Sequence, residues 1–387
     1  MSELPFIPLS VPNLKGNELN YVTHAVETEW VSTAGPYVTD FEKAIADYVG
    51  TPGAVACQSG TAGLHIALLL CGVTREDMVL VPTLTFIAAV NPVKYIGAEP
   101  MFMDCDDSLC MDPVKLEHFC AEECELRGES LYHKATGRRI PAMTVVHVFG
   151  NMADMEQILR IAETYHLKVV EDATEALGTK YTDGPYAGKF AGTMGTIGVY
   201  SFNGNKIITT GGGGMIVSMD EGLLAHAKHL TTQAKADEAN FIHDEIGYNY
   251  RLTNLQAALG LAQLEQLEDF ITIKERNYQL YRAFAEETAG LSLLPFRQGI
   301  RSNRWFYALC CEQPYPLSRE EVIEKLKAHR IQSRPIWGLI HEQLPYLESH
   351  GYQIERAKHY WQTVVNVPCS TNLSETDVAR VISVLRP

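Results

Sequence analysis

One lysine and one aspartate carry the chemistry that this sequence suggests. Lys206 ends the segment SFNGNK (201–206) and stands shortly before a glycine run at 211–214. Asp172 lies upstream and follows an apolar run that is typical of a strand. A lysine that joins an aldehyde covalently and an aspartate that holds a pyridine nitrogen are the two protein groups that pyridoxal phosphate needs. Their order and spacing predict a site for this cofactor.

Both residues also have an ordinary explanation. An Asp at a strand-to-helix turn is commonly a helix N-cap, and most lysines are solvated surface groups. However, no acidic residue stands near Lys206 between positions 200 and 215, and the glycines with Ile207 and Ile208 indicate a close backbone approach. A lysine in such a partly desolvated setting has a lowered pKa and attacks carbonyl groups as a free amine.

Two further strand ends add groups of the right type. Ser59, Gly60 and Thr61 link a predicted strand to a helix, where backbone N–H groups and hydroxyls bind phosphate well, although a plain N-cap is the alternative. Phe86 follows another predicted strand, and its ring would stack on a planar cofactor if it is not part of the core. The combination of a phosphate seat, a ring, an acid and a lysine favours the cofactor site over the separate ordinary explanations.

The elements that must position these residues form an α/β pattern. Short apolar runs alternate with amphipathic stretches, which indicates a mainly parallel sheet of seven strands covered by helices on both faces. Ligands of such sheets bind outside the carboxyl ends of the strands. The predicted strands are Ala54–Cys57, Met78–Val81, Pro100–Met103, Thr144–Phe149, Leu167–Val170, Thr196–Phe202 and Met215–Ser218.

The remaining third of the chain has a different sequence pattern. A helical pattern runs from Thr253 to about Glu287 with apolar stripes on two sides, and capping-box patterns begin at Ser318 and Ser374. We therefore expect an N-terminal arm and a large cofactor-binding domain over 1–252. A long connecting helix over 253–291 and a small α+β domain over 292–387 would follow.

Composition narrows the class of protein. The 387 residues are 46% hydrophobic and 20% charged, with a formal net charge of −15. This acidity argues against binding to nucleic acid or to an anionic membrane surface, and no apolar run is long enough for a membrane span. The nine cysteines are scattered in apolar contexts, so we expect reduced thiols in a cytoplasmic protein and no metal site.

Taken together, these motifs resemble the DegT/DnrJ/StrS sugar-nucleotide aminotransferases, which have the aspartate-aminotransferase fold (pyridoxal phosphate fold type I). The resemblance covers about residues 5–387. It rests on the segments GNE (16–18), WVSTAG (30–35), SGT (59–61), TF (85–86), EDA (171–173), SF with Lys206 (201–206) and YNYR (248–251).

The resemblance implies a role for each matching residue. Lys206 would bond covalently to the cofactor and carry protons, and Asp172 would pair with the pyridine nitrogen. Asn249 would reach the cofactor phosphate of a neighbouring subunit, which implies a homodimer with shared active sites. Glu175 stands where relatives often carry His or Gln, so its role is open. The further cofactor contacts that the resemblance implies are Gly60, Thr61, Phe86 and Ser201.

The resemblance also suggests a reaction. L-Glutamate would supply the amino group, and the acceptor would be a nucleotide-linked 4-keto sugar. The sequences of segments 30–35, 146–151 and 201–206 are similar to those of one branch of the family. That branch aminates UDP-4-keto-6-deoxy-N-acetylglucosamine on the route to legionaminic acid. A GDP- or dTDP-linked sugar stays an alternative, as do a dehydratase, which would have histidine at position 206, and a non-catalytic sugar-nucleotide-binding relative. The candidate substrate contacts, each with a surface ion pair or core ring as its alternative, are Trp30, Thr33, Arg251, Arg304, Trp305, Arg334 and Trp337.

Overall fold

The computed structural model describes residues 5–387, which form helices, a large central sheet and several smaller sheets. The α-helices are α1 (Glu18–Glu27), α2 (Pro36–Val49), α3 (Gly60–Leu70), α4 (Asn91–Ile96), α5 (Pro113–Glu122), α6 (Met155–Thr164), α7 (Glu221–Thr231), α8 (Asn254–Leu264), α9 (Leu267–Glu286), α10 (Arg319–Ala328), α11 (Arg356–Thr363) and α12 (Glu375–Leu385).

The strands alternate with α-helices as far as α5, and beyond it several strands follow one another with no α-helix between them. They are β1 (Ala54–Cys57), β2 (Met78–Pro82), β3 (Glu99–Met103), β4 (Cys124–Arg127), β5 (Ser130–His133), β6 (Arg139–Ile140), β7 (Ala142–Val146), β8 (Lys168–Asp172), β9 (Lys180–Tyr181), β10 (Ile197–Ser201), β11 (Gly214–Val217), β12 (Lys235–Asp237), β13 (Ile242–His243), β14 (Leu291–Leu293), β15 (Ile300–Arg301), β16 (Tyr307–Cys311), β17 (Arg334–Pro335), β18 (His350–Tyr352) and β19 (Val364–Val367).

The central sheet has the order β1-β11-β10-β8-β7-β2-β3-β18. Only β11 runs antiparallel to its two neighbours, and the other pairings are parallel. Strands β2 and β7 are buried along their whole length, as expected for a sheet covered on both faces. A mainly parallel sheet flanked by helices confirms the predicted fold class.

The sheet has eight strands, so the predicted number of seven is wrong by one. All seven predicted strands are present, and β18 adds the eighth by pairing in parallel with β3. This strand is only three residues long and exposes two of them, His350 and Gly351. It therefore lacks the apolar run by which the other strands are recognised.

The single long helix predicted over 253–291 is also wrong. The chain forms two helices, α8 and α9, with a break at Glu265 and Gln266. Helix α8 packs against α1 and α2, whereas α9 packs against β14 and α12. The break between the two helices therefore lets each of them pack against its own partners.

The C-terminal third forms a four-stranded sheet in the order β14-β16-β19-β17. Both predicted capping boxes are present, because Ser318 and Ser374 each accept a hydrogen bond from the third residue of the helix that they begin. This part is not separate from the rest, since β18 joins the central sheet and Ile7 bridges to Ile331. The division at 252 and 291 stays a prediction.

The cysteines and the helices bear on the remaining predictions from composition. All nine cysteines are free and buried. Over residues 5–387, no helix combines the length and the apolar composition that crossing a bilayer requires.

Asp104, which follows β3, ties the central sheet to the C-terminal third. Its carboxylate is fully buried and accepts hydrogen bonds from the ammonium group of Lys115 at 2.7 Å and from the backbone N–H groups at the start of α11. Burial alone would raise the pKa of Asp104, but Lys115 and these N–H groups hold it below its usual value. The ionised carboxylate therefore stabilises the fold at neutral pH, and this contribution is lost as the pH falls through that lowered pKa.

We predict that Asp104→Asn lowers the free energy of unfolding by about 2 to 4 kcal/mol, because a buried charged partner is removed from Lys115 and from several N–H groups. Urea unfolding at pH 7 measures this. The matched control is Asp112→Asn, because Asp112 is the N-cap of α5 and asparagine caps equally well. Equal losses for both variants would contradict the prediction.

Candidate active site

The predicted site residues cluster at the carboxyl edge of the central sheet. Asp172 is the last residue of β8 and Ser201 is the last residue of β10, and these two strands pair in parallel. Strand β1 runs in the same direction as β10 because both are antiparallel to β11. The turn from β1 into α3, which contains Gly60, therefore lies at the same edge.

Gly60 leaves a cradle at the start of α3. A Cβ atom at this position would lie 2.9 Å from Thr174 Cγ2 and 3.0 Å from Ser201 Cβ, so a side chain there would force these neighbours to shift. Ser59 caps the helix by accepting a hydrogen bond from Ala62 N at 3.0 Å. The other backbone N–H groups of the first turn, with the hydroxyls of Thr61 and Ser201 nearby, form a donor set suited to an anion.

The glycine run has a structural reason at its last member. A Cβ atom on Gly214 would lie 2.7 Å from the carbonyl carbon of Ser59 and 2.8 Å from Gly60 N. Strand β11 thus begins directly against the turn that leads into α3. The close backbone approach that the glycines predict is an approach to this turn.

Asp172 is buried and has no cationic hydrogen-bond partner. Its Oδ1 accepts a hydrogen bond from Thr174 N at 3.1 Å, and the chain forms turns from Thr174 to Gly178. The N-cap alternative is therefore wrong, because no helix begins after this residue. Burial raises the pKa of Asp172, while Thr174 and the nearby cation Lys206 act in the opposite direction. A cation brought to this carboxylate would be strongly favoured.

Lys206 is also withdrawn from water, with 12% of its side chain exposed. Its Nζ lies 3.8 Å from Glu175 Oε1 and 4.0 Å from the centre of the Trp305 ring. Burial lowers the pKa of Lys206, and Glu175 and Asp172 oppose that shift. A lysine in this setting is closer to the free amine that attacks a carbonyl.

Glu175 shares the pocket of Lys206 and is buried as well. Its Oε2 accepts a hydrogen bond from Phe149 N at 2.7 Å. Burial raises the pKa of Glu175 from its usual 4.5 to about 7, despite the opposing attraction of Lys206. This carboxyl group therefore gains and loses a proton near neutral pH, within reach of the lysine amine.

A buried histidine–glutamate pair stands behind Asp172 and was missed by the sequence analysis. His147 Nε2 lies 2.9 Å from Glu171 Oε2, and its Nδ1 accepts a hydrogen bond from Ala153 N. Nε2 is therefore the donor, and Glu171 also accepts hydrogen bonds from Gly192 N and from two further backbone N–H groups. The one available signal was the pair of adjacent acids at the end of β8.

Some of the predicted site residues do not lie beside Lys206 within a single chain. Phe86 is 54% exposed after β2, and Trp30 is 54% exposed after α1. The Trp30 carbonyl accepts a hydrogen bond from Asn254 Nδ2, which anchors the segment that includes Thr33 to the start of α8. Asn249 receives a long hydrogen bond from Arg251 Nε at 3.4 Å.

The candidate substrate contacts of the C-terminal third fall into different surroundings. The Arg304 guanidinium is engaged by Glu275 at 2.7 Å and lies over the rings of Tyr278 and Phe296. An ion pair, which is the alternative explanation for Arg304, therefore describes this side chain better than a substrate contact does. Trp337 packs on Phe149 with ring centres 4.7 Å apart, and Arg334 is exposed in β17.

Comparisons with known proteins agree with this geometry. A family model described as the DegT/DnrJ/EryC1/StrS aminotransferase family matches residues 12–386. The chain is 36% identical to a GDP-perosamine synthase of Caulobacter vibrioides, over 100% of this chain and 99% of that relative. It is 35% identical to EpsN of Bacillus subtilis, named a putative pyridoxal phosphate-dependent aminotransferase, over 98% and 95% of the two chains. The crystal structure of a DegT DnrJ EryC1 StrS aminotransferase from Brucella abortus matches with a TM-score of 0.86 and 28% identity, over 96% of this chain and 95% of that one.

The raised pKa of Glu175 predicts a measurable dependence of stability on pH. Between pH 4.5 and about 7, the folded protein holds this proton more tightly than the unfolded chain does, so stability falls as the pH rises through this window. In cofactor-free protein, we expect the free energy of unfolding to fall by up to about 3 kcal/mol more in wild type than in Glu175→Gln between pH 4.5 and 8.

Urea unfolding at a series of pH values measures the difference. The control is Glu324→Gln, because Glu324 is exposed in an ion pair with Lys327 on α10. A wild-type curve that parallels the Glu175→Gln curve over this window would refute the raised pKa.

Proposed function

The chain belongs to the DegT/DnrJ/EryC1/StrS aminotransferase family of pyridoxal-phosphate-dependent sugar aminotransferases, and on that premise we propose that it transfers an amino group from L-glutamate to the 4-keto carbon of a nucleotide-linked deoxysugar. The observation that carries the proposal is the burial of Lys206 and Asp172 at one edge of the sheet. Asp172 has no cationic hydrogen-bond partner among the described residues, and the one carboxyl group close to Lys206, that of Glu175, does not offset the effect of its burial.

The residues present fit pyridoxal phosphate. When bound, this cofactor supplies an aldehyde that amines can join and a ring that withdraws electrons from the joined carbon. The cradle at Gly60, with Thr61 and Ser201, would hold its phosphate at the positive end of α3. Asp172, which has no cation of its own, would accept a hydrogen bond from the protonated ring nitrogen.

Lys206 and Glu175 would handle the protons of the reaction. Lys206 would first be the covalent anchor. As a free amine, its Nζ would then carry a proton between the cofactor carbon and sugar C4. Glu175 is 3.8 Å from this nitrogen and titrates near neutral pH. It would therefore tune the charge of the lysine during the proton transfer.

A second copy of the chain would complete the site. We propose that Asn249 reaches the phosphate of the neighbouring subunit's cofactor in a homodimer with shared active sites. Exposed apolar residues support a covered surface in this part of the chain, since Phe241 and Ile246 are 73% and 86% exposed. Phe86 is exposed in the single chain, and in the complex its ring would be covered by the cofactor.

Two nucleotide sugars are candidates for the acceptor. The relative with 36% identity is a GDP-perosamine synthase, which favours a GDP-linked sugar. The sequences of segments 30–35, 146–151 and 201–206 instead favour UDP-4-keto-6-deoxy-N-acetylglucosamine, for the biosynthesis of a bacterial surface sugar such as legionaminic acid. Both acceptors present the same reacting carbon, so the mechanism above holds for either.

The other two hypotheses are less well supported by the site. A dehydratase of this family would have histidine in place of Lys206. A non-catalytic binding protein would have no need to bury a lysine and two carboxyl groups together, because burying such groups costs free energy.

We predict that the purified protein is yellow and that borohydride removes its visible absorbance by fixing the cofactor to Lys206. Peptide mapping by mass spectrometry should find the added mass on the peptide that contains Lys206, and Lys206→Ala should abolish it. Lys274 is an internal control, because it is also buried with a pKa lowered by burial, yet donates to the carbonyls of Trp305 and Cys369. Protein that stays colourless with added pyridoxal phosphate, or label on Lys274, would overturn the assignment.

A panel of acceptors separates the nucleotide candidates. With L-glutamate as donor, we expect 2-oxoglutarate to form with GDP- or UDP-linked 4-keto-6-deoxysugars at a kcat/KM at least about tenfold above that for the dTDP-linked sugar, since the dTDP sugar lacks the ribose 2′-hydroxyl and the loss of its hydrogen bond costs about 1.4 kcal/mol or more. Competition between the GDP and UDP sugars then ranks the two. Preference for the dTDP sugar would refute both candidates and leave the chemistry of Lys206 standing.

A further inference from the structure

Four aromatic residues form a cluster beside the lysine amine. Phe149 lies 4.7 Å from Trp337 and 5.7 Å from Phe306 between ring centres, and Trp305 stacks on Phe306 at 4.1 Å. We call Phe149, Trp305, Phe306 and Trp337 the aromatic cluster. Of its members, the described contacts place only Trp305 against Lys206.

The Trp305 indole is held rigidly in this position. Its Nε1–H donates to Asn205 O at 2.7 Å, so the ring is tied to the residue directly before Lys206. Its backbone N–H donates to Asn303 Oδ1, and its carbonyl accepts from Lys274 Nζ, both at 3.0 Å. A buried ring fixed through both its side chain and its backbone presents one face to the lysine with little freedom to move.

The contact geometry is that of a cation–π interaction. A cation within about 6 Å of a ring centre is attracted to the ring face, and indole gives the strongest attraction. Lys206 Nζ lies at 4.0 Å, well within this range. The attraction exists only for the ammonium form, so the ring favours the protonated lysine against the effect of burial.

The other charged groups around the amine do not give its ammonium form the constant attraction that the ring gives. Glu175 faces Nζ at 3.8 Å, and Asp172 acts on it electrostatically. Burial raises the pKa of Glu175 to about 7, so its negative charge is reduced near neutral pH, and burial raises the pKa of Asp172 as well. The face of Trp305 keeps its attraction for the ammonium group whatever the protonation of these acids.

We propose that Trp305 is a positioning residue, the surface on which the protonated amine of Lys206 rests whenever it is not joined to the cofactor. This inference rests on the proposed covalent role of Lys206. It gives Trp305 a role different from that of the substrate contact suggested by the sequence. The ring keeps the freed amine beside the reacting carbon and biases it toward the form that can return a proton.

The charge state of Lys206 tests the proposal directly. In full-length protein freed of pyridoxal phosphate, competitive acetylation followed by mass spectrometry gives the pH midpoint at which Lys206 becomes reactive. Trp305→Leu should lower this midpoint by about half a unit to one unit, because the ammonium form loses the ring. Trp305→Phe keeps a ring and should lower it by less than half as much.

A matched control separates the ring contact from packing. Trp337→Leu removes a tryptophan from the same aromatic cluster, but one that packs on Phe149 and not on Lys206. Its Lys206 midpoint should equal that of wild type. An unchanged midpoint in Trp305→Leu, or an equal shift in Trp337→Leu, overturns the proposal.

Fluorotryptophan provides a test that does not depend on how a truncated core folds. Fluorine withdraws charge from the ring face and weakens the cation–π attraction with little change of shape. Incorporation at all tryptophans should lower the Lys206 midpoint in otherwise wild-type protein and leave it unchanged in Trp305→Phe. A shift of equal size in both backgrounds would assign the effect to another tryptophan and overturn the proposal.

Failure of this inference can be told apart from failure of the proposed function. If the yellow holoenzyme gives no borohydride-stable link to Lys206, the proposed function fails, and the inference that rests on it fails with it. If the link forms but the midpoint in Trp305→Leu is that of wild type, only the role of Trp305 fails.

Discussion

The structure depends on one constraint, which is that three ionisable groups are buried together at the carboxyl edge of the central sheet. Lys206, Asp172 and Glu175 would each be more stable in water, and their mutual attraction offsets only part of the cost of burial. Such an arrangement is maintained when a bound group completes it or when the chemistry needs shifted pKa values. Here both reasons apply, since Asp172 has no cationic hydrogen-bond partner among the described residues and the pKa of Lys206 is lowered toward the free amine.

The surrounding scaffold keeps these groups in place without neutralising them. Glu171 points to the other side of β8 and is satisfied by His147 and by backbone N–H groups, so the strand end is fixed while Asp172 stays available. Gly214 lets β11 come against the turn before α3, which sets the cradle at Gly60 close to Ser201. The supporting residues therefore have their hydrogen-bond partners within the fold, whereas the reactive residues have few partners of their own.

The sequence predicted the elements that are marked by local chemistry and missed those that are not. Buried parallel strands and capping boxes such as that at Ser318 are visible as patterns, and so are the cofactor motifs around Asp172 and Lys206. The short exposed strand β18, the break at Gln266 and the pairing of His147 with Glu171 depend on partners far away in the chain, which no local pattern encodes. Glu175 was seen as a cofactor-site position, but its pKa near neutrality follows from burial, which only the fold reveals.

The link between Trp305 and Lys206 also explains why the two parts of the chain are not independent. The lysine comes from the loop after β10, whereas Trp305 precedes β16 of the C-terminal sheet, and the indole N–H bond to Asn205 O joins them at the residue before Lys206. Any movement of the C-terminal sheet relative to the central sheet would therefore change the surroundings of the lysine amine. Since Lys274 of α9 in turn holds the Trp305 carbonyl, the break that separates α8 from α9 lets one helix pack against the N-terminal helices while the next one supports the active site.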